Sequence, residues 1–361
     1  MEEKGKKGRM DYTLLLIVVL LVVIGLVILY STSAYNGQVK FHDSFYYLKK
    51  QAFATVLGIV LMLFVAGMDY HIWQKLAVFG YLAAVVLSVA VMLFGREING
   101  SKRWLALGPF SFQPSEFAKV ALILFLADLV TKNVKTIGKM WTLCRIMFWI
   151  LPIVGLVGAS NLSTAIIILG IGVILIFVAS PKYAQFALMG IAGACFMGIF
   201  LALESYRLER LAIWRNPEKY EKGYQTLQGL YAIGSGGVFG VGIGNSVQKL
   251  GFVPEAQNDM IFSITCEELG LAGAGIIVFL FLLLIWRFFL IASGSRDLFG
   301  ALIATGAMAH MMIQVILNIA VVTNTIPNTG ITLPFISYGG TSVMFLLIEM
   351  GLVLSVSQVV D

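Results

Sequence analysis

Residues 12–30 read YTLLLIVVLLVVIGLVILY, an unbroken apolar run with no charged side chain. As a helix rising 1.5 Å per residue it covers about 28 Å, close to the thickness of a bilayer's hydrocarbon core. It follows Lys4, Lys6, Lys7 and Arg9, which resemble the basic start of a signal peptide. A cleavable apolar region spans only about 7 to 15 residues, so this one reads as a retained signal-anchor helix with a cytoplasmic N-terminus. Working outward, similar windows lie near 48–67, 72–94, 116–131, 143–158, 162–179, 183–204, 261–287, 298–322 and 339–357. Of 361 residues, 59% are hydrophobic and 12% charged, about half the charge of a soluble domain. The pattern predicts an all-α polytopic membrane protein of about ten transmembrane helices, a single domain over 1–361 with both termini cytoplasmic.

In that orientation, residues 205–259 form one large extracellular loop between helices 7 and 8, far longer than a connection requires. Lysine and arginine divide evenly between the two faces, twelve on each, so the usual inside excess is missing. An anionic substrate handled outside would account for the outer charge, as would a solvated loop. The cysteines Cys144, Cys195 and Cys266 have no paired spacing, and His42, His71 and His310 lie in separate segments. Neither a disulfide framework nor a built-in metal is expected.

Four stretches carry polar chemistry into this apolar background. In INGSKRWLALGPFSFQPSEFAKV, residues 98–120, Glu116 and Lys119 share one face of the fourth span. There they serve either function or a structural ion pair. Lys102 and Arg103 just before them can engage phosphates. The glycine-dense GSGGVFGVGIGNSVQKLG, residues 234–251, matches no nucleotide loop, and no nucleic-acid partner is expected; it allows close backbone approach to a ligand, or simple flexibility. In PEAQNDMIFSITCEELGLAG, residues 254–273, Asp259 opens the eighth span as a helix cap or a chemical group, and Glu267 and Glu268 suit anchoring of the loop. His310, Gln314 and Asn318 form a polar stripe on the ninth span that suits interhelical hydrogen bonding or a substrate lining. Beyond it, IPNTGITLPFISYGG, residues 326–340, breaks the chain before a helix start that can point backbone donors at an anion.

Taken in order, INGSKRWL with QPSEFAK, GYQTLQGLYAIGSGGVFGVGIGNSVQKLGFVPEA with DMIF and EELG, and NTGITLPFISYGGTS resemble one family over essentially the full length. It is the shape, elongation, division and sporulation (SEDS) family of bacterial membrane glycosyltransferases, which includes FtsW, RodA and SpoVE. GNSVQKLG and GITLPFISYGG look closer to FtsW and SpoVE than to RodA. The resemblance implies a peptidoglycan glycosyltransferase that polymerises lipid II on the outer face of the cytoplasmic membrane and releases undecaprenyl diphosphate. It implies work beside a class B penicillin-binding protein and other division or elongation proteins. The family's essential aspartate falls on Asp259, and its glutamate and lysine fall on Glu116 and Lys119.

Glycan polymerisation needs a base for the acceptor hydroxyl, a role that suits Asp259, with Glu116 and Lys119 positioning it or setting its protonation. Lys102, Arg103, Gln113, Ser115, Lys249, Ser337 and Gly339 are candidate diphosphate or substrate contacts. Glu255, Glu267 and Glu268 are candidate structural neighbours. No cofactor is built in, although a divalent magnesium or manganese ion suits a lipid diphosphate. Two motifs depart from the family: Gln257-Asn258 precede the aspartate where H-T-D is common, and Asn161-Leu162-Ser163 stands where P-D-L-G-T-A is frequent. A lipid II flippase and a non-catalytic scaffold of the division machinery are the competing functions. Polar groups near the outer ends of spans, rather than at the midplane, favour chemistry over transport. Gly270, Gly273, Gly275 and Ala304 are expected to face lipid and admit a partner's helix.

Overall fold

The computed structural model describes residues 8–98, 101–107, 110–187, 190–191 and 212–359. The first helix, α1 (Tyr12–Phe41), is 30 residues long and is capped by Asp11, whose side chain accepts from the Leu14 amide at 2.9 Å. Asp11 also pairs with Arg287 and donates its own amide to the Ser357 hydroxyl at 3.1 Å, while the Gly8 amide reaches the Gln358 carbonyl at 2.7 Å. The two described chain ends are therefore pinned together at one end of the bundle.

The helices α2 (Tyr46–Gly67) and α3 (His71–Phe94) turn their apolar residues outward, with Phe53, Val56, Phe64, Phe79 and Val86 all exposed. A side chain of this kind is stable outside only where the surroundings are lipid. Next come α4 (Pro114–Asn133), α5 (Met140–Ser160) and α6 (Leu162–Ala179). A short helix, α7 (Tyr224–Ser235), precedes α8 (Ile261–Gly294), α9 (Leu298–Val322) and α10 (Gly340–Ser357). Eight of these are long and apolar enough to cross a membrane. They make the chain a predominantly helical, multi-pass membrane protein. The α4 helix carries Glu116, Lys119, Asp128 and Lys132 and is not among the eight. It is nonetheless buried along most of its length, packed against α3, α5, α6, α9 and α10. Protein, not lipid, surrounds Glu116, Lys119 and Asp128, while Lys132 at the end of the helix is exposed and pairs with Asp128. The expected seventh span, 183–204, lies largely outside the described residues, as does the start of the expected loop at 205–211.

The α2 and α10 helices approach closely because two glycines lack side chains. A Cβ at Gly58 would come within 2.6 Å of Leu347, and one at Gly351 within 2.5 Å of the Met62 carbonyl. One element departs from the helical expectation. The segment before α4 contains a three-stranded antiparallel sheet of β1 (Arg96–Ile98), β2 (Ser101–Leu107) and β3 (Phe110–Phe112). Glu97 pairs with Lys102, and Ala106 with Ser111. The sheet joins the ends of α3 and α4 at the same end of the bundle as α7.

Candidate active site

Asp259 lies in the turn that leads into α8 and is 9% exposed. Its position suits an N-cap, but the α8 cap is Met260 and no side chain caps that helix. The carboxyl instead faces Gln225 of α7, whose Nε2 lies 3.4 Å from Oδ1 and also donates to the Pro254 carbonyl at 3.2 Å. Asn328 donates to the Gln225 oxygen at 3.3 Å, which fixes the amide. Gly330, at φ +68°, lies alongside, where a Cβ would be in ordinary van der Waals contact with Oδ2 at 3.9 Å. The main chain is held as well: Asn318 Nδ2 donates to the Asp259 carbonyl at 2.9 Å and to the Ile331 carbonyl at 2.7 Å. Burial pushes the Asp259 carboxyl up to about 6, and the negative charge of Glu255 acts in the same direction, partly offset by local backbone amides and Gln225. Such a group is ionised at neutral pH yet close to accepting a proton.

Glu116 and Lys119 meet as their spacing predicts, at 3.0 Å, with both side chains buried. Lys119 does not reach Asp259 directly, because α9 stands between them. Its ammonium donates to Gln314 Oε1 at 3.2 Å, and Asn318, one turn further along α9, holds the Asp259 carbonyl. The polar stripe of α9 faces protein throughout. His310 bridges Gln314, at 2.9 Å, and Glu349 of α10, at 2.8 Å, and Gln314 Nε2 donates to the Thr332 carbonyl at 3.1 Å.

The glycine-dense segment is structural at its core. The α8 helix breaks at Gly270 (φ +67°, ψ −170°), and the loop backbone fills the break. Leu271 and Ala272 donate to the carbonyls of Gly237 and Val238, and Val241 and Gly242 donate to those of Glu267 and Glu268. A Cβ at Gly270 would come within 2.3 Å of the Gly240 nitrogen, so only glycine fits. Glu267 accepts from Ser246 and from the Val247 amide at 3.0 Å. Lys249, expected to meet a diphosphate, is instead 6% exposed and pairs with Glu268 at 2.6 Å, with Ser31 bonded to both. A buried ammonium without that partner would be costly, and Glu268 and Ser31 engage it within the chain. Gly270 and Ala304 are likewise buried rather than facing lipid, because both pack within the chain, whereas Gly275 has open space at its Cβ.

Gln113 sits at the start of α4 and donates to Ser115 at 3.2 Å. Arg103 is half-buried and donates from Nε to the Ser160 carbonyl at 3.0 Å. The Lys102 side chain lies outside the described residues. Ser337 and Gly339 are held by Gln51 of α2, which donates to the Ser337 carbonyl at 3.3 Å and accepts from the Gly339 amide at 3.0 Å. Glu255 receives Asn258 at 2.6 Å and lies 3.9 Å from Lys40. An open groove of about 720 Å³ is lined by Lys219, Tyr220, Lys222, Tyr224, Gln225 and Pro254. Sequence reasoning passed over Gln225, Gln51, Ser31 and Glu349. Only Glu349 carried a visible signal, as an acid inside an apolar span. Among the described residues no group of three or more histidine, cysteine, aspartate or glutamate side chains could hold a metal ion.

The family model of the cell cycle proteins FtsW, RodA and SpoVE matches residues 12–361. Stage V sporulation protein E of Bacillus subtilis (strain 168) is 40% identical over 98% of both chains. A probable peptidoglycan glycosyltransferase FtsW from Geobacter sp. (strain M18) is 34% identical over 96% of both. Among solved structures, a chain of a peptidoglycan synthase complex that coordinates polymerization and crosslinking superposes with a TM-score of 0.81 at 29% identity. That match covers 96% of this chain and 97% of the other. The crystal structure of the rod shape determining protein RodA of Thermus thermophilus superposes at 0.72 and 28% identity, covering 96% of each chain.

Proposed function

Because the chain belongs to the cell cycle protein family of FtsW, RodA and SpoVE, we propose that it polymerises lipid II into peptidoglycan glycan strands on the outer face of the bacterial cytoplasmic membrane. The observation that carries this reading is Asp259: a buried carboxyl that caps no helix, is raised to about 6 and is gripped by Gln225 beside an open groove. As a carboxylate, Asp259 takes the proton from the acceptor sugar hydroxyl as that oxygen attacks the donor's anomeric carbon. The bond from that carbon to the lipid diphosphate breaks, and undecaprenyl diphosphate leaves with its electron pair. Single displacement inverts the anomeric centre.

Lys102 and Arg103, on the strand beside α4, are the cations assigned to the leaving diphosphate, with Gln113, Ser115, Ser337 and Gly339 supplying neutral donors. Lys249 is dropped from that set. Glu116 and Lys119 act on Asp259 through α9 rather than by contact. A divalent cation accompanying the diphosphate would arrive with the substrate. Both termini lie in the cytoplasm in this reading, and the segment from 205 to 259 is outside. The likeness to a synthase that couples polymerization to crosslinking supports a class B penicillin-binding protein as partner.

The test is reconstitution of the purified chain in liposomes with labelled lipid II, with and without that partner. Glycan chains are expected. Translocated but unpolymerised lipid would point to a flippase, and neither product to a scaffold.

A further inference from the structure

Behind Lys119 lies a buried pair that the proposed reaction does not use. His310 and Glu349 are 1% exposed, on α9 and α10, with His310 Nδ1 2.8 Å from Glu349 Oε2 and Nε2 2.9 Å from Gln314 Oε1. The groups facing the imidazole are Glu349 from α10, Gln314 from its own helix, and the Glu116–Lys119 pair from α4.

The protons of this chain can be placed one at a time. Gln314 cannot be turned round, because its Oε1 accepts from the Lys119 ammonium at 3.2 Å and its Nε2 donates to the Thr332 carbonyl at 3.1 Å. An oxygen facing His310 Nε2 requires that nitrogen to carry hydrogen. At 2.8 Å a further proton lies between Nδ1 and the carboxyl of Glu349. Whether it sits on nitrogen or oxygen, the His310–Glu349 pair is neutral overall, and so is Glu116–Lys119. Four titratable groups can then be buried together without a net charge.

We propose that His310 is a positioning residue for the Asp259 site, locked by Glu349 in a state that donates from Nε2 to Gln314. That bond fixes the Gln314 oxygen under Lys119 and the Gln314 amide under Thr332. Asn318, one turn along the same helix, then holds the Ile331 carbonyl and the Asp259 carbonyl in register. Glu349 acts only by orienting the ring. The inference rests on the reading of Asp259 as the base, but its hydrogen-bond geometry can be measured without any substrate.

The chain has three histidines, and His42 and His71 are exposed. Nitrogen-15 histidine labelling of the full-length protein in lipid nanodiscs therefore gives three imidazoles, and His310→Gln identifies the buried one. The expected spectrum shows His310 protonated at Nε2, with that proton exchanging with water far more slowly than those of the other two. A bare Nε2, or exchange as fast as at the exposed rings, overturns the proposal. In lipid II polymerisation, His310→Leu is expected to lower kcat by about 10²-fold, the scale of an ångström-sized misplacement, with KM little changed. Glu349→Gln still offers the ring a hydrogen-bond partner and should stay close to the parent kcat, while Glu349→Leu should fall with His310→Leu. Parent-like turnover by His310→Leu, or equal losses in the two Glu349 variants, would overturn the positioning role. A parent protein that makes no glycan strikes the proposed function instead, and the spectrum still decides the geometry.

Discussion

Replacing Asp259 with asparagine separates what the carboxyl does for chemistry from what it does to stability, and the two effects have opposite signs. A carboxyl raised from 3.8 to about 6 in the folded protein favours the folded state fully below pH 4. That contribution is lost as the pH rises through 6. At neutral pH the folded protein therefore carries a cost of about 3 kcal/mol for keeping this group charged, at about 1.4 kcal/mol per tenfold. The neutral amide of D259N is free of that cost, so the variant should unfold at a higher temperature than the parent at pH 7.5, with the gap closing near pH 4. Its polymerisation of lipid II should fall by about 10² to 10⁴-fold, the usual contribution of a positioned base. In the parent, about nine-tenths of Asp259 is ionised at pH 7 and about one-tenth at pH 5, so activity should drop by about tenfold across that interval. Thermal unfolding in detergent and gel analysis of glycan chains from pH 5 to 8 measure the three effects. A D259N protein that polymerises within tenfold of the parent would refute the assignment of the base. A variant both inactive and less stable at pH 7.5 would refute the burial argument.

The remaining predictions probe Gln225 beside that carboxyl, the buried Lys249–Glu268 pair and two glycines of α8. Gln225→Leu removes a donor that favours the charged form, so the acidic limb of the pH profile should move upward from about 6; an unmoved limb would show that the 3.4 Å contact is inconsequential. Lys249→Met strands Glu268 and should cost about 3 to 5 kcal/mol in detergent unfolding. Most of that loss should return when Glu268→Leu is added, and the stable double variant should still polymerise lipid II, whereas its inactivity would restore Lys249 to the substrate. Gly270→Ala forces a side chain onto φ +67° and into the Gly240 backbone, costing at least about 1 to 3 kcal/mol of strain; unchanged thermal stability would mean that the break in α8 can reform elsewhere. Gly275→Leu fills the exposed notch on α8 and should reduce copurification with a co-expressed class B penicillin-binding protein, while full recovery of the complex would move the interface away from that face.

Hydropathy is a property of each segment alone, which is why the sequence sufficed for the membrane class and for the positions of most helices. The Glu116–Lys119 contact was equally legible, since three residues on a helix return a side chain to the same face. The sheet before α4 was missed although Asn99-Gly100, the dipeptide that most favours a two-residue hairpin, stands between the paired Ile98 and Ser101. Its short strands carry too little periodicity to outweigh the apolar runs around them. Tertiary structure alone decided which polar groups distant in the chain meet. Lys249 read as a cation for a diphosphate until α1 and α8 brought Ser31 and Glu268 to it, and Asp259 read equally as a helix cap or a chemical group until α7 delivered Gln225. Glu349 entered the site only through its bond to His310, 39 residues away in the chain. Charges in an apolar bundle must find partners or remain neutral, so the sequence shows that partners are needed, and the packing of helices distant in the chain determines which they are.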